Sequence, residues 1–149
     1  MIKVNFYDSI EDGLLKFAVI VSKFQGKWVL CKHRNRNTYE CPGGHREYGE
    51  SILTTAKREL YEETGAKNYS LKQLCVYSVC VNDGVIGTNV ETFGMLYYAD
   101  ISKFEGLPDY EMEKIELFDS LPENWTYPEI QPKLIEKVNN FLEMKTYTN

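Results

Sequence analysis

The stretch that most constrains this chain runs from Ser51 to Gly65, the one clear amphipathic helix of its first half. Ser51 is a side-chain N-cap, Gly65 is the left-handed stop, and the spacing predicts a helix over Ile52 to Thr64. At about 100° per residue, Leu53, Ala56, Leu60 and Thr64 fall in one narrow stripe that is expected to face the core. Glu59, Glu62 and Glu63 fall on the adjacent stripe, with Glu63 only about 20° from Ala56. Three carboxylates therefore cluster at the edge of the expected buried face.

A solvated acidic face is the ordinary explanation for such a run. Two features count against it here. Like charges three and four residues apart on a helix repel by a few tenths of a kcal/mol, and these lie in the C-terminal half, where the macrodipole also disfavours anions. A divalent cation removes both penalties, because Mg²⁺ takes oxygen ligands from carboxylates, water and phosphate. Arg58 can hold a neighbouring carboxylate in a bidentate pair and fix its direction. Upstream, Pro42-Gly43-Gly44 and then Glu50 add a glycine turn and a fourth carboxylate. Glycine permits close backbone approach, so the carbonyl of Gly43 is a further candidate ligand.

Around this helix the punctuation is local. Ile2 to Tyr7 alternates as an edge strand would, and Asp12-Gly13 turns into a strand at Lys16 to Ser22. Gln25-Gly26 joins that strand to Trp28 to Lys32 as a hairpin, and Thr38 to Cys41 is a short segment ended by Pro42. Further strands are expected at Leu71 to Val81, Val90 to Ile101 and Lys114 to Phe118, with Asn82-Asp83-Gly84 beginning the turn between the first two. Pro122, Pro128 and Pro132 make Leu121 to Pro132 irregular, and a second helix is expected over Pro132 to Met144. Strands, helix, strands, helix in that order predict an α+β sandwich, a mixed sheet between helices. A chain of 149 residues has the length of a single domain, residues 1–149.

Composition narrows the function classes. No apolar run approaches the roughly 18 residues of a membrane span, and Met1 to Phe6 lacks the regions of a signal peptide, so a cytoplasmic location and no membrane partner are expected. Cys31, Cys41, Cys75 and Cys80 form no C-x-x-C pair and are expected to be reduced and mostly buried. A net charge of −5 argues against a DNA or RNA polymer as partner, but not against a small phosphorylated ligand approached through divalent cations.

Gly44, Glu50, Arg58, Glu59, Leu60, Glu62, Glu63, Gly65 and Ala66 match the Nudix box, G-x5-E-x7-R-E-U-x-E-E-x-G-U with U aliphatic; only Ala66 is small for its position. The chain thus resembles the Nudix hydrolases, and the element order on both sides resembles their α/β/α sandwich. The resemblance implies that Glu59, Glu62 and Glu63 bind Mg²⁺, or Mn²⁺ in its place. Gly43 would lend its carbonyl, Arg58 would orient Glu59, and Glu50 would support the site or the metal shell. It implies attack of water on a phosphorus of a nucleoside diphosphate linked to another group, with Glu59 or a glutamate outside the box taking the proton. Glu111 and Glu113 are the outside candidates.

Other residues are placed by chemistry. Lys32, Arg34 and Arg36 form a basic cluster before the glycine turn, suited to phosphate or simply to a polar loop. Trp125 and Tyr127 put two aromatics in an irregular stretch, as a stacking platform for a base or as core. His33 and His45 lack partners at zinc-ligand spacing and read as exposed loop histidines. The leading expectation is hydrolysis of a nucleoside triphosphate to monophosphate and pyrophosphate, in the manner of relatives that remove oxidised nucleotides such as 8-oxo-dGTP. Alternatives are dinucleotide polyphosphates, NDP-sugars, ADP-ribose or an RNA 5′ end as substrate, or a nucleotide sensor that does not cut. A homo-oligomer is compatible with the sequence.

Overall fold

Successive side chains of a strand point to opposite faces, so strands apolar on both faces require a covering layer on each. The central runs of this chain are of that kind. The computed structural model describes residues 1–82 and 89–148. Its elements are β1 (Ile2–Tyr7), one turn of 3-10 helix (Asp12–Leu14), β2 (Leu15–Phe24), β3 (Lys27–His33), β4 (Tyr39–Glu40) and β5 (Gly43–His45). They continue with α1 (Ile52–Thr64), β6 (Ala66–Val81), β7 (Val90–Phe104), β8 (Met112–Phe118) and α2 (Gln131–Thr148).

Ile20, Val29 and Val76 lie in a core with Ala56 and Leu60 of α1. Their neighbours Val21, Leu30 and Tyr77 lie in a second core with Leu134, Ile135 and Val138 of α2. Strand alternation thus assigns one helix to each face, and the expected α+β sandwich is what the chain forms. The sheet order is β1-β6-β7-β2-β3-β4, with β5 paired to β2 and β8 to β3. It is mixed because β2 and β7 run parallel while β1–β6, β2–β3 and β6–β7 are antiparallel. Gln25 and Gly26 both have positive φ, 53° and 79°, the signature of the tight hairpin turn expected there.

One edge of β2 is shared. Ser22 to Phe24 pair with β3, whereas Phe17 to Val19 pair with β5. The sheet forks where β3 leaves β2, and side chains from both prongs line a cavity there.

Three expectations shift. Strand β6 begins at Ala66 rather than Leu71, because the polar run Lys67 to Ser70 pairs with the far end of β7 although it lacks alternation. Helix α2 runs on to Thr148. Leu53 is not in the core stripe: it is 43% exposed, while Ile52, Thr55, Ala56, Leu60, Glu63 and Thr64 are buried. The buried arc is therefore rotated by roughly 50° from the one drawn through Leu53, and Glu63 stands near its middle rather than at its edge. Apolarity misplaced the arc because three of its members are polar groups. Of the turn expected at Asn82-Asp83-Gly84, the last two residues lie outside the described residues. All four cysteines are free, Cys31 and Cys41 buried and Cys75 and Cys80 half-buried. Among the described residues no helix is long and apolar enough to cross a membrane.

Candidate active site

Strand β5 brings two adjacent glycines against different neighbours. A Cβ on Gly43 would lie 2.5 Å from the carbonyl oxygen of Ala18, so this position is glycine for the sake of the sheet. A Cβ on Gly44 would lie 2.5 Å from Glu59 Oε1, so that position is glycine to let a helix carboxylate pass over the strand. The Gly43 N–H donates to Glu63 Oε1 at 2.7 Å, which ties strand and helix together at the same point.

Helix α1 begins and ends as its caps require. Ser51 Oγ accepts from the Thr54 N–H at 3.1 Å, and Gly65, at φ 75°, donates to the Tyr61 carbonyl at 2.8 Å. The helix presents Glu63 at only 8% exposure. Burial pushes its carboxyl up to about 9; the Gly43 N–H works against this, and Glu59, Glu40 and Glu111 add to it. Burial also raises Glu59, against the opposing Arg58, with Glu62 and Glu111 adding to the rise.

Arg58 is the hub, and the neighbouring carboxylate that its fork grips is Glu50. Nε and Nη2 grip the two oxygens of Glu50 at 2.6 and 3.0 Å, and Nη1 reaches Glu59 Oε1 at 2.7 Å and Glu62 Oε2 at 3.4 Å. Glu50 also accepts from the Glu47 N–H and the Thr55 hydroxyl, both at 2.9 Å. With the guanidinium as main cause, its carboxyl is held down to about 2. Glu50 thus acts as a brace for Arg58, with its lone pairs spoken for, and Arg58 orients Glu59 through one arm.

Among the described residues, no three acidic, His or Cys side chains converge as a ready-made metal site. The reason is visible. Arg58 draws Glu59 and Glu62 toward itself, and Glu63 is turned onto the Gly43 N–H. The donor set nonetheless suits a hard cation, since Glu63 is a buried carboxylate with no ion-pair partner among the described residues and Glu59 is desolvated beside it.

These carboxylates face a cavity of about 700 Å³. Of the sequence candidates it brings together Gly43, Glu59, Glu63, Arg36, Glu111 and Tyr127. Glu111 is largely exposed, its Oε2 3.9 Å from His33 Nε2. His33 closes β3 half-buried and His45 closes β5 exposed, and both line the cavity, so neither is the loop residue expected. The cavity leaves out the other basic and acidic candidates: Lys32 Nζ is paired with Glu113 at 2.6 Å, and Arg34 Nη2 with Asp109 at 2.6 Å. Trp125 also turns away, packing half-buried in the α2 core next to Tyr39, to which its backbone is bridged. Two groups that sequence reasoning missed are in the wall: Glu40, buried and paired with Arg36 at 3.3 Å, and Gln131, 5% exposed. Neither carried a signal, since a lone Glu in a two-residue strand and a Gln beside Pro132 match no pattern.

Comparison with known proteins gives concordant findings. A family model described as NUDIX domain matches residues 14–133. A protein of Bacillus subtilis (strain 168) named "Putative 8-oxo-dGTP diphosphatase YtkD" is 40% identical over 124 residues, 83% of this chain and 74% of that protein. The crystal structure of a Bacillus subtilis pyrophosphohydrolase, BsRppH in mutant form, aligns with a TM-score of 0.75 and 30% identity over 93% of this chain and 90% of that one. The NUDIX domain of Shewanella oneidensis NrtR, solved with ADP ribose, is similar in fold alone, with a TM-score of 0.64 and 20% identity over 86% of this chain and 88% of that one.

Proposed function

The chain belongs to the NUDIX domain family, and from that premise we propose that it is a Mg²⁺-dependent pyrophosphohydrolase converting a nucleoside triphosphate, oxidised dGTP foremost, to the monophosphate and pyrophosphate. The observation that carries this is the buried, cation-free Glu63 beside Glu59 at the rim of a nucleotide-sized cavity, in a chain that keeps every glutamate of the box.

Each residue has a part. Glu59, Glu62 and Glu63 with the Gly43 carbonyl would hold Mg²⁺ or Mn²⁺, which supplies neutralisation of phosphate oxygens and acidity toward water. Glu50 and Arg58 keep Glu59 in place, as the bonds above describe. Glu111 stands at the cavity mouth, where a carboxylate can take the proton of the attacking water, whereas Glu113 is engaged with Lys32. Arg36 offers the cavity a cation for phosphate, steadied by Tyr127 and Glu40.

The test is to incubate the protein with Mg²⁺ and a panel of substrates and identify the products by mass spectrometry. The panel comprises 8-oxo-dGTP, dGTP, ATP, a dinucleotide polyphosphate, an NDP-sugar, ADP-ribose and a triphosphorylated RNA. Monophosphate plus pyrophosphate from 8-oxo-dGTP at the highest kcat/KM is the expected result. Cleavage of another member moves the substrate, and binding without cleavage of any makes the domain a sensor.

A further inference from the structure

The far wall of the cavity contains a side-chain amide whose orientation the protein itself settles. Gln131 opens α2 and is 5% exposed. Its Oε1 accepts the Cys41 backbone N–H at 2.7 Å, and since a backbone N–H can only donate, oxygen and nitrogen of the amide are fixed. Nε2, which carries two donors, has no hydrogen-bond partner among the described residues. Among those residues no fully buried side-chain nitrogen or oxygen is unpaired, so Nε2 keeps some exposure, and Gln131 lines the cavity. Leaving a donor without a partner in so enclosed a place costs about 1–3 kcal/mol unless water or a ligand meets it. Beside its charged groups the cavity has an apolar lining of Phe17, Val19, Val79, Ile130 and Leu134. Such a slot suits a flat ring and offers it a directed donor.

Resting on the reading of this cavity as a nucleotide site, we propose that Gln131 determines base specificity by donating from Nε2 to the ring carbonyl of a 6-oxopurine, and that it disfavours 6-aminopurines. A 6-oxopurine presents an acceptor at that edge, whereas a 6-aminopurine presents an amino donor that meets Nε2 donor to donor. A donor faced by a donor leaves both unpaired, which is the strongest form of discrimination that a binding site can build.

The test compares GDP and ADP as probes, by calorimetric Kd, in the wild-type protein and in two variants. Gln131→Glu keeps an oxygen for the Cys41 N–H but replaces the donor by an acceptor; Gln131→Met can pair with neither base. Wild type is expected to bind GDP at least about tenfold more tightly than ADP. Gln131→Glu should lower the GDP to ADP preference at least tenfold, and Gln131→Met should bring it near one. A preference within twofold of wild type in both variants, an equal loss for both nucleotides, or no preference in wild type overturns the proposal. The Kd values require no turnover, so the two readings fail separately. A preference that follows residue 131 in a protein that cleaves no nucleotide leaves Gln131 as the base reader and removes the hydrolase. Cleavage with an unmoved preference does the reverse.

Discussion

At the carboxylate end of the cavity, Gly43, Gly44, Glu59 and Glu63 come from one unbroken stretch of chain, whereas elsewhere in its wall Phe17 and the pair Tyr127 and Gln131, joined in one turn, come from segments far apart in the sequence. The first end is held by charge and short hydrogen bonds, centred on Arg58 and the Gly43 N–H. The second is held by the fork in the sheet and by the packing of α2, so its geometry is a product of topology. Substitutions at the first end are expected to change catalysis and leave folding alone, and those in the scaffold of the second to do the opposite. That expectation can be broken at several points.

The largest effect belongs to Glu63→Gln and Glu62→Gln. Each is expected to lower kcat by about 10³-fold, roughly 4 kcal/mol of transition-state stabilisation, because a carboxylate that would hold the cation against the phosphate charge is lost. The melting temperature of the metal-free protein should hold or rise, since Glu62→Gln removes a like charge from the helix and Glu63→Gln removes an ionisable group that burial holds away from its charged form. Near-wild-type turnover in either variant would take the chemistry away from α1. Next is Trp125→Ala. Because the ring packs half-buried against the α2 core, the expected cost is about 3 kcal/mol of stability in denaturant unfolding, with KM unchanged in the folded fraction. A rise in KM without loss of stability would put the ring on the base instead.

The two glycines sharpen the comparison within a single strand. Gly44→Ala pushes a methyl into the Glu59 carboxylate, and a misplacement of about 1 Å there is expected to cost about 10²-fold in kcat with little change in stability. Gly43→Ala meets backbone, the Ala18 carbonyl, which cannot swing away, so its cost should appear in the melting temperature. Thermal melts and steady-state kinetics on the pair would show whether the two losses separate in this way. Arg58→Lys keeps the charge but cannot grip both oxygens of Glu50 while reaching Glu59, and a loss of about tenfold in kcat at constant KM is expected. A pure rise in KM would place Arg58 on the substrate.

How far the sequence could be read follows the same division. The span and both caps of α1 were legible because helix signals are local, and so was the carboxylate cluster that the periodicity draws. The error with Leu53 is instructive: an arc drawn from apolar residues fails where the fold buries Thr55, Glu63 and Thr64 to build a site. Arg36 could be separated from Lys32 and Arg34 only by knowing that β8 supplies Glu113 and that the loop before it supplies Asp109. Trp125 and Tyr127 are two residues apart and would share a face in a regular strand, yet one enters the core and the other the cavity, because the chain bends at Thr126 and Tyr127 just after the bridge that holds Trp125 to Tyr39. Gln131 depends on a hydrogen bond to Cys41 across most of the chain, which no pattern announces.

The smallest effect is a pH dependence, and it tests whether the carboxylate end is as frustrated as its burial implies. Glu63 has an ordinary value of 4.5 when the chain is unfolded and about 9 when it is folded, so the folded state binds its proton more tightly. The stabilisation from that protonated carboxyl is complete below about pH 4.5 and is lost progressively as pH rises toward 9. Glu50, held down to about 2, works in the opposite sense and in another window: its contribution is present above 4.5 and fades as pH falls toward 2. The two windows do not overlap, so the interval from pH 5 to 9 reports on Glu63 with contributions from Glu59 and Glu40, which burial shifts the same way. In EDTA, urea unfolding of the wild type should therefore show stability falling between pH 5 and 8 relative to Glu63→Gln, whose side chain carries no charge at either pH, by at most the roughly 1.4 kcal/mol per pH unit of one proton. Adding Mg²⁺ should recover most of the loss in the wild type and little in the variant, because an ion bound to the ionised carboxylate favours the form that burial disfavours. Parallel pH curves for the two proteins would mean that water or a rearranged Arg58 already solvates Glu63, and that this end of the cavity holds no strain for a cation to relieve.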